Sequence, residues 1–122
     1  MPKRVLICDD DSDILSICKY ILEESGLEVH TRTTCNDILQ VIDEVAPDVI
    51  LMDNWIPDTG GIVATRAIKK HPEFKNIPVI YFSANTDIKM LAKDAGADSY
   101  LAKPFDINQL TDAVSTAKIN SQ

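Results

Sequence analysis

Long apolar runs are missing from this sequence of 122 residues. None approaches the roughly 18–20 residues that a membrane-spanning helix requires, so a membrane-embedded function is not expected. The first residues, Met1-Pro2-Lys3-Arg4, lead into a short apolar run that is soon broken by charge, too short for a secretory h-region. Cysteine is scarce. Cys8, Cys18 and Cys35 are odd in number and lack Cys-x-x-Cys spacing, which speaks against a disulfide framework or a zinc site. They read as reduced thiols used as small hydrophobes, and the expected compartment is the cytoplasm. Positive charge is short as well: 12 Lys and Arg against 19 Asp and Glu leave a formal net charge of −7. Direct nucleic-acid binding and attachment to an anionic membrane both draw on Lys and Arg, so neither is expected. Linkers, internal repeats and low-complexity segments are also missing.

What is present suits one domain, residues 1–122, with enough chain to bury a real core. Strand-like and helix-like segments alternate. Ile14, Leu15, Cys18, Ile21 and Leu22 form the stripe of an amphipathic helix over 12–25, with Gly26 as its stop. Residues 27–33 alternate apolar with polar and read as a strand near an edge. Asn36 is expected to cap a second helix that carries Ile38, Leu39, Val41, Ile42 and Val45 and ends at Pro47. Residues 49–52 are uniformly apolar, as in a central strand covered on both faces. A loop rich in turn formers follows, then a helix with Ile62, Val63, Arg66, Ala67 and Lys70. Residues 79–82 make another central strand. Asp87 can cap a short helix through Ile88, Leu91, Ala92 and Ala95 that Gly96 stops. A fifth strand spans 100–102. Asp106 and Gln109 make a capping-box pair for a last helix using Ile107, Leu110, Val114 and Ala117. Five β-α units at this period imply an α/β fold: a five-stranded parallel sheet, doubly wound, with helices on both faces.

The strand ends carry the chemistry. Val5-Leu6-Ile7-Cys8 runs into Asp9-Asp10-Asp11, Val49-Ile50-Leu51-Met52 into Asp53, Val79-Ile80-Tyr81-Phe82 into Ser83, and Tyr100-Leu101-Ala102 into Lys103-Pro104. In an open parallel sheet these ends share one edge, and ligands bind in the crevice beyond it. Asp9, Asp10 and Asp53 would crowd like charges that a cation could join. Magnesium suits such a set, since it takes one or two carboxylates, keeps several waters and accepts phosphate oxygens. Asp11, next to Ser12, reads instead as a helix cap. Asp53 alone could serve only as a metal ligand, but a hydroxyl and an ammonium accompany it. A carboxylate there can attack phosphorus to give an aspartyl phosphate. Ser83 can donate to a phosphoryl oxygen, and Lys103 can neutralise its charge.

Asp9-Asp10, Asp53, Ser83 and Lys103-Pro104 together resemble the motif set of the receiver domain of two-component response regulators, most like its single-domain chemotaxis members. The loop from Asp53 to Gly61, with Pro57 and Gly61 in the family's places, extends the likeness over essentially the whole chain. The resemblance implies the flavodoxin-like strand order 2-1-3-4-5. It implies that Asp53 accepts a phosphoryl group from a phosphohistidine on a histidine kinase or a histidine phosphotransfer protein. Asp10, Asp53 and the Trp55 carbonyl would ligate Mg2+, with Asp9 helping through water. Ser83 and Lys103 would contact the phosphoryl oxygens, and the Lys103-Pro104 bond would be cis. Tyr100 stands where the family carries its switch aromatic. With Ser83 it would turn phosphorylation into a change of the 88–119 face, which a downstream protein target reads.

Ser83 replaces the commoner threonine and keeps the hydroxyl. Trp55 is bulky for its place, and with Asn85 it is expected to set access of the water that hydrolyses the aspartyl phosphate. His30 and His71 read as surface residues. Lys69-Lys70-His71 reads as helix-dipole complementarity and Lys89 with Lys93 as a solvated face. A rival from another class is a magnesium phosphatase of the haloacid dehalogenase type, whose aspartate nucleophile also ends a strand. The crowded Asp9-Asp10-Asp11-Ser12-Asp13 contains DxD pairs, but a cap domain has no room. The start at Met1 and the short tail fit a stand-alone receiver, with excision from a longer regulator as the other possibility.

Overall fold

Strands and helices alternate without exception in the computed structural model, which describes residues 3–56 and 60–117. In chain order they are β1 (Arg4–Cys8), α1 (Ser12–Glu24), β2 (Glu28–Arg32), α2 (Ile38–Val45), β3 (Val49–Asp53), α3 (Gly61–Lys70), β4 (Val79–Ser83), α4 (Ile88–Ala95), β5 (Ser99–Ala102) and α5 (Ile107–Thr116). The five strands form one parallel sheet in the order β2-β1-β3-β4-β5.

The pleat sorts the strand side chains into two cores. Leu6, Cys8, Ile50, Met52, Val79 and Tyr81 face α2, α3 and α4, through Ile38, Ile42, Ala64, Ile68 and Ala92. Val5, Ile7, Val49, Leu51, Ile80 and Phe82 face α1 and α5, through Leu15, Cys18, Leu22, Leu110 and Val114. Period-two alternation between two buried faces explains why β1, β3 and β4 are apolar at nearly every position. β2 and β5 lie at the edges, and their side chains are correspondingly more exposed.

Helix ends mostly follow local chemistry. The Asp11 carboxylate accepts from the Asp13 and Ile14 amides at the start of α1. Asp106 and Gln109 close the expected capping box on α5. Gly26 and Gly96 take positive φ after α1 and α4. Three details differ from expectation. The N-cap position of α2 falls on Asp37 rather than Asn36, after a backbone turn in which the Ile38 amide donates to the Cys35 carbonyl, and the Asp37 side chain makes no capping hydrogen bond. Asp87 precedes α4 but gives it no side-chain cap; its own amide donates to Asn85 Oδ1 instead. The inward face of α3 is Gly61, Ala64, Thr65 and Ile68, which leaves Val63 in solvent. Among the described residues, no helix is long and apolar enough to cross a membrane.

Candidate functional site

Register brings the strand ends level. Cys8 lies beside Met52, Asp53 beside Phe82, and Ser83 beside Ala102. The next residues along, Asp9 and Lys103, therefore reach the same rim as Asp53. The rim spans the place where the chain, having gone from β1 out to β2, returns to β3 on the other side. That switch point is where open α/β sheets hold ligands.

Lys103 joins the carboxylates. Its Nζ lies 2.7 Å from Asp9 Oδ2 and 3.0 Å from Asp53 Oδ1, and 4.6 Å above the Phe82 ring. Asp9 and Asp53 are buried, whereas Asp10 is exposed. One oxygen from each of these three carboxylates lies within 4.8 Å of the others. Burial pushes the Asp53 carboxyl above its ordinary range; the Lys103 hydrogen bond opposes this, and the charges of Asp9 and Asp10 add to the rise. Burial also works against the Lys103 charge, yet its bonds to Asp9 and Asp53 prevail and raise its pKa. One ammonium thus only partly balances three acids. Hard oxygen donors with a surplus of negative charge are what magnesium requires, so the residues fit that ion.

Lys103→Met is expected to cost on the order of 3 kcal/mol at neutral pH, the usual loss when one partner of a buried pair is removed. The pH dependence has a definite sign. The raised Lys103 pKa means the pair's stabilisation is fully present below the ordinary lysine pKa and is lost as pH climbs through the raised value. Without Lys103 the Asp53 pKa rises further, so the deficit shrinks as pH falls toward about 5. Urea titrations across that range check it; a deficit that grows in acid would contradict the charge argument.

Ser83 is buried, and its hydroxyl accepts from the Asn85 amide at 3.1 Å. The Lys103 amide donates to the Ser83 carbonyl at 2.9 Å, tying the two strand ends together. The Lys103-Pro104 bond is cis. Tyr100 on β5 is 46% exposed and the Trp55 side chain 75% exposed, so both present rings to solvent. Pro57 lies outside the described residues. His30 pairs with Glu28 on edge strand β2, and His71 stacks on Phe74. Lys69 is more than a helix-dipole partner: it bonds the Ile77 carbonyl at 2.7 Å and pairs with Asp98 at 2.5 Å.

Sequence reasoning missed Tyr81. Read as core, it is buried, but its hydroxyl donates to Asn54 Oδ1, immediately after Asp53. The Asn54 amide donates to the Phe82 carbonyl, and the Asn54 carbonyl accepts from Gly61. Asn54 is therefore tied on three sides, which holds the start of the loop. Burial and the nearby Asp53 charge push the Tyr81 phenol up to about 12, so it remains a donor at any ordinary pH. Tyr81→Phe is expected to cost about 1 kcal/mol and to speed amide hydrogen exchange at Asn54 and Trp55. Unchanged exchange would show that the tie does not hold the loop.

Residues 5–115 match the family model described as the response regulator receiver domain. A curated relative, the CAI-1 autoinducer sensor kinase/phosphatase CqsS of Vibrio cholerae, is 32% identical over 115 residues; these are 92% of this chain but 17% of that protein's length. Among solved structures, a CheY-like response regulator receiver domain protein of Methanospirillum hungatei superposes with a TM-score of 0.83 at 30% identity, covering 94% of this chain and 92% of that one. Chemotaxis protein CheY4 of Vibrio cholerae reaches 0.88 at 25% identity, covering 96% and 99%. The receiver domain of a signal transduction histidine kinase from Syntrophus aciditrophicus gives 0.83 at 25% identity, covering 93% and 87%.

Proposed function

The chain belongs to the response regulator receiver domain family of two-component signalling, and from that membership we propose that it is a phosphorylation-switched module whose phosphoacceptor is Asp53. The observation that carries this reading is the buried Asp53 carboxylate at the switch point, held by Lys103 within reach of Asp9 and Asp10. A Asp53 carboxylate oxygen attacks the phosphorus of a phosphohistidine on a kinase or phosphotransfer protein. The P–N bond breaks, and the imidazole leaves with its electron pair and takes up a proton. Lys103 pairs with the phosphoryl oxygens as they approach, and Ser83 donates to one of them. Asp10 and Asp53, with the Trp55 carbonyl and with Asp9 through water, would hold Mg2+, which would supply further positive charge for the phosphoryl oxygens. The module turns over no external substrate beyond its own labelling and slow hydrolysis, and it works in the cytoplasm.

The output face runs from α4 across β5 to α5. Tyr100 and Met90 are exposed on it, and an open groove of about 400 Å³ lies beside Tyr100, between Lys89, Lys93 and Ser99. Movement of Ser83 toward the phosphoryl group would open space for Tyr100 to rotate inward, changing this groove and what binds it. α1 presents Ile17 and Tyr20 to solvent, an apolar face suited to a donor protein.

Acetyl phosphate with Mg2+ is expected to label the protein once, at Asp53, with slow release, and Trp55 fluorescence is expected to report Mg2+ binding. Rapid multiple turnover of phosphate esters would favour the haloacid-dehalogenase-type phosphatase instead.

A further inference from the structure

Trp55 is held through its neighbours. Its ring is exposed, so packing does little to fix its backbone. On one side Ile56 is buried in the core beneath α2 and α3, and its carbonyl accepts from the Gly60 amide at 3.1 Å. On the other side Asn54 is tied through three groups. Its amide donates to the Phe82 carbonyl at 3.3 Å, its carbonyl accepts from the Gly61 amide at 3.1 Å, and its side-chain oxygen accepts from the Tyr81 hydroxyl. The first two ties are backbone bonds that any residue at position 54 could make. The third is particular to these two side chains. Tyr81 is fully buried on β4, the register partner of Met52, one residue before Asp53. Phenylalanine would fill the same core space. A buried hydroxyl costs desolvation unless it is bonded, and this one is bonded to Asn54, the residue between Asp53 and Trp55.

We propose that Tyr81 is a positioning residue for the divalent cation: by fixing the Asn54 side chain, its hydroxyl sets the backbone that carries the Trp55 carbonyl before the ion arrives. This rests on the reading of Asp53 as the phosphoacceptor of a Mg2+-dependent site, and adds to it a residue that touches neither the ion nor the phosphoryl group. The physical reason is preorganisation. A side-chain carboxylate can swing to meet a cation, but a backbone carbonyl is aimed only by the chain around it. A segment already held in place loses less entropy when the ion binds, so affinity is higher. Groups that orient metal ligands without touching the metal typically change its affinity by roughly 10–100-fold when removed. One neutral hydrogen bond among three ties on Asn54 puts Tyr81 at the lower end of that range.

Mn2+ binding to the folded protein is followed by loss of the free-ion electron paramagnetic resonance signal, with Mg2+ as competitor and no phosphoryl donor present. Tyr81→Phe is expected to bind both ions about ten-fold more weakly than wild type. Asn54→Ala, and the double variant, should lose the same amount within about two-fold, because both substitutions cut one bond. Val114→Ala removes packing from the opposite core and should cost more stability, yet keep wild-type ion affinity. Unchanged affinity in Tyr81→Phe overturns the proposal. So do additive losses in the double variant, or a loss in Val114→Ala that matches that of Tyr81→Phe. Failure of the underlying reading looks different. If wild type binds no ion, or Asp10→Asn binds as well as wild type, the ligand set at the rim is wrong and the role of Tyr81 falls with it.

Discussion

Replacing Asp53 by asparagine is expected to abolish phosphoryl uptake and, in the same variant, to raise the stability of the fold. The first effect follows from nucleophilicity: a neutral amide of the same shape cannot attack phosphorus, so labelling should fall below about one-hundredth of wild type. The second follows from electrostatics. The Asp53 carboxyl lies above its ordinary range even with Lys103 beside it, so its charged form is disfavoured in the folded protein. A carboxylate with a raised folded pKa binds its proton more tightly when folded, and its contribution to stability declines as pH rises past about 4. Asparagine removes that cost, while Lys103 keeps Asp9 at 2.7 Å. The gain should be on the order of 1 kcal/mol at neutral pH and should vanish in acid. Radiolabel uptake and urea titrations at both pH values check the pair. Retained label would place the nucleophile elsewhere. Lower stability would mean that the Lys103 bond outweighs burial.

How much of this was legible in the sequence depends on the range of the interaction. The α/β alternation is a local property, and the predicted elements match the observed ones to within one or two residues. The Asp106–Gln109 capping box spans one turn and was legible for the same reason. The cap of α2 was not. Asn36 and Asp37 are both good cap residues by type, but the helix begins after a backbone turn from Cys35, with Asp37 at the N-cap position and no side-chain cap from it. Val63 illustrates a second limit: apolar residues crowd one side of α3 in sequence, yet Gly61 fixes which side can approach the sheet.

In the site, residue types at strand ends pointed to Asp9, Asp10, Asp53, Ser83 and Lys103, because only a parallel sheet gathers such distant positions. The double bond of Lys103 to Asp9 and Asp53 was less accessible, since sequence shows an ammonium near acids but not which oxygens it meets. Tyr81 was hidden for a simpler reason. Its strand is apolar throughout, and a phenol whose ring is core while its hydroxyl reaches the next loop reads as core alone.

Two adjacent glycines at the start of α3 provide the second large prediction, because they are glycine for different reasons. A Cβ on Gly61 would lie 2.0 Å from the Asp53 carbonyl oxygen, 2.9 Å from its carbon and 3.0 Å from Asn54 Cα. All three are backbone atoms of the end of β3 and the loop after it, so nothing flexible can yield. Gly61→Ala must drive α3 away from the end of β3. A loss of about 3 kcal/mol or more is expected, lowering Tm by roughly 10 °C. Gly60 is the opposite case. Its φ of +80° is unfavourable for other residues, but a Cβ there meets nothing within 4 Å. Gly60→Ala should therefore cost about 2 kcal/mol in backbone strain alone and leave the rim undisturbed. Thermal unfolding alone separates these variants only modestly; acetyl phosphate labelling separates them well. Gly60→Ala should label within about two-fold of wild type once folded, because strain outside the rim is not transmitted to the reacting oxygen. Gly61→Ala should label at least about ten-fold more slowly, because a displacement near 1 Å at the nucleophile is enough to cost that much. Equal labelling of the two would mean that the close approach of α3 to Asp53 is packing without consequence for the carboxylate.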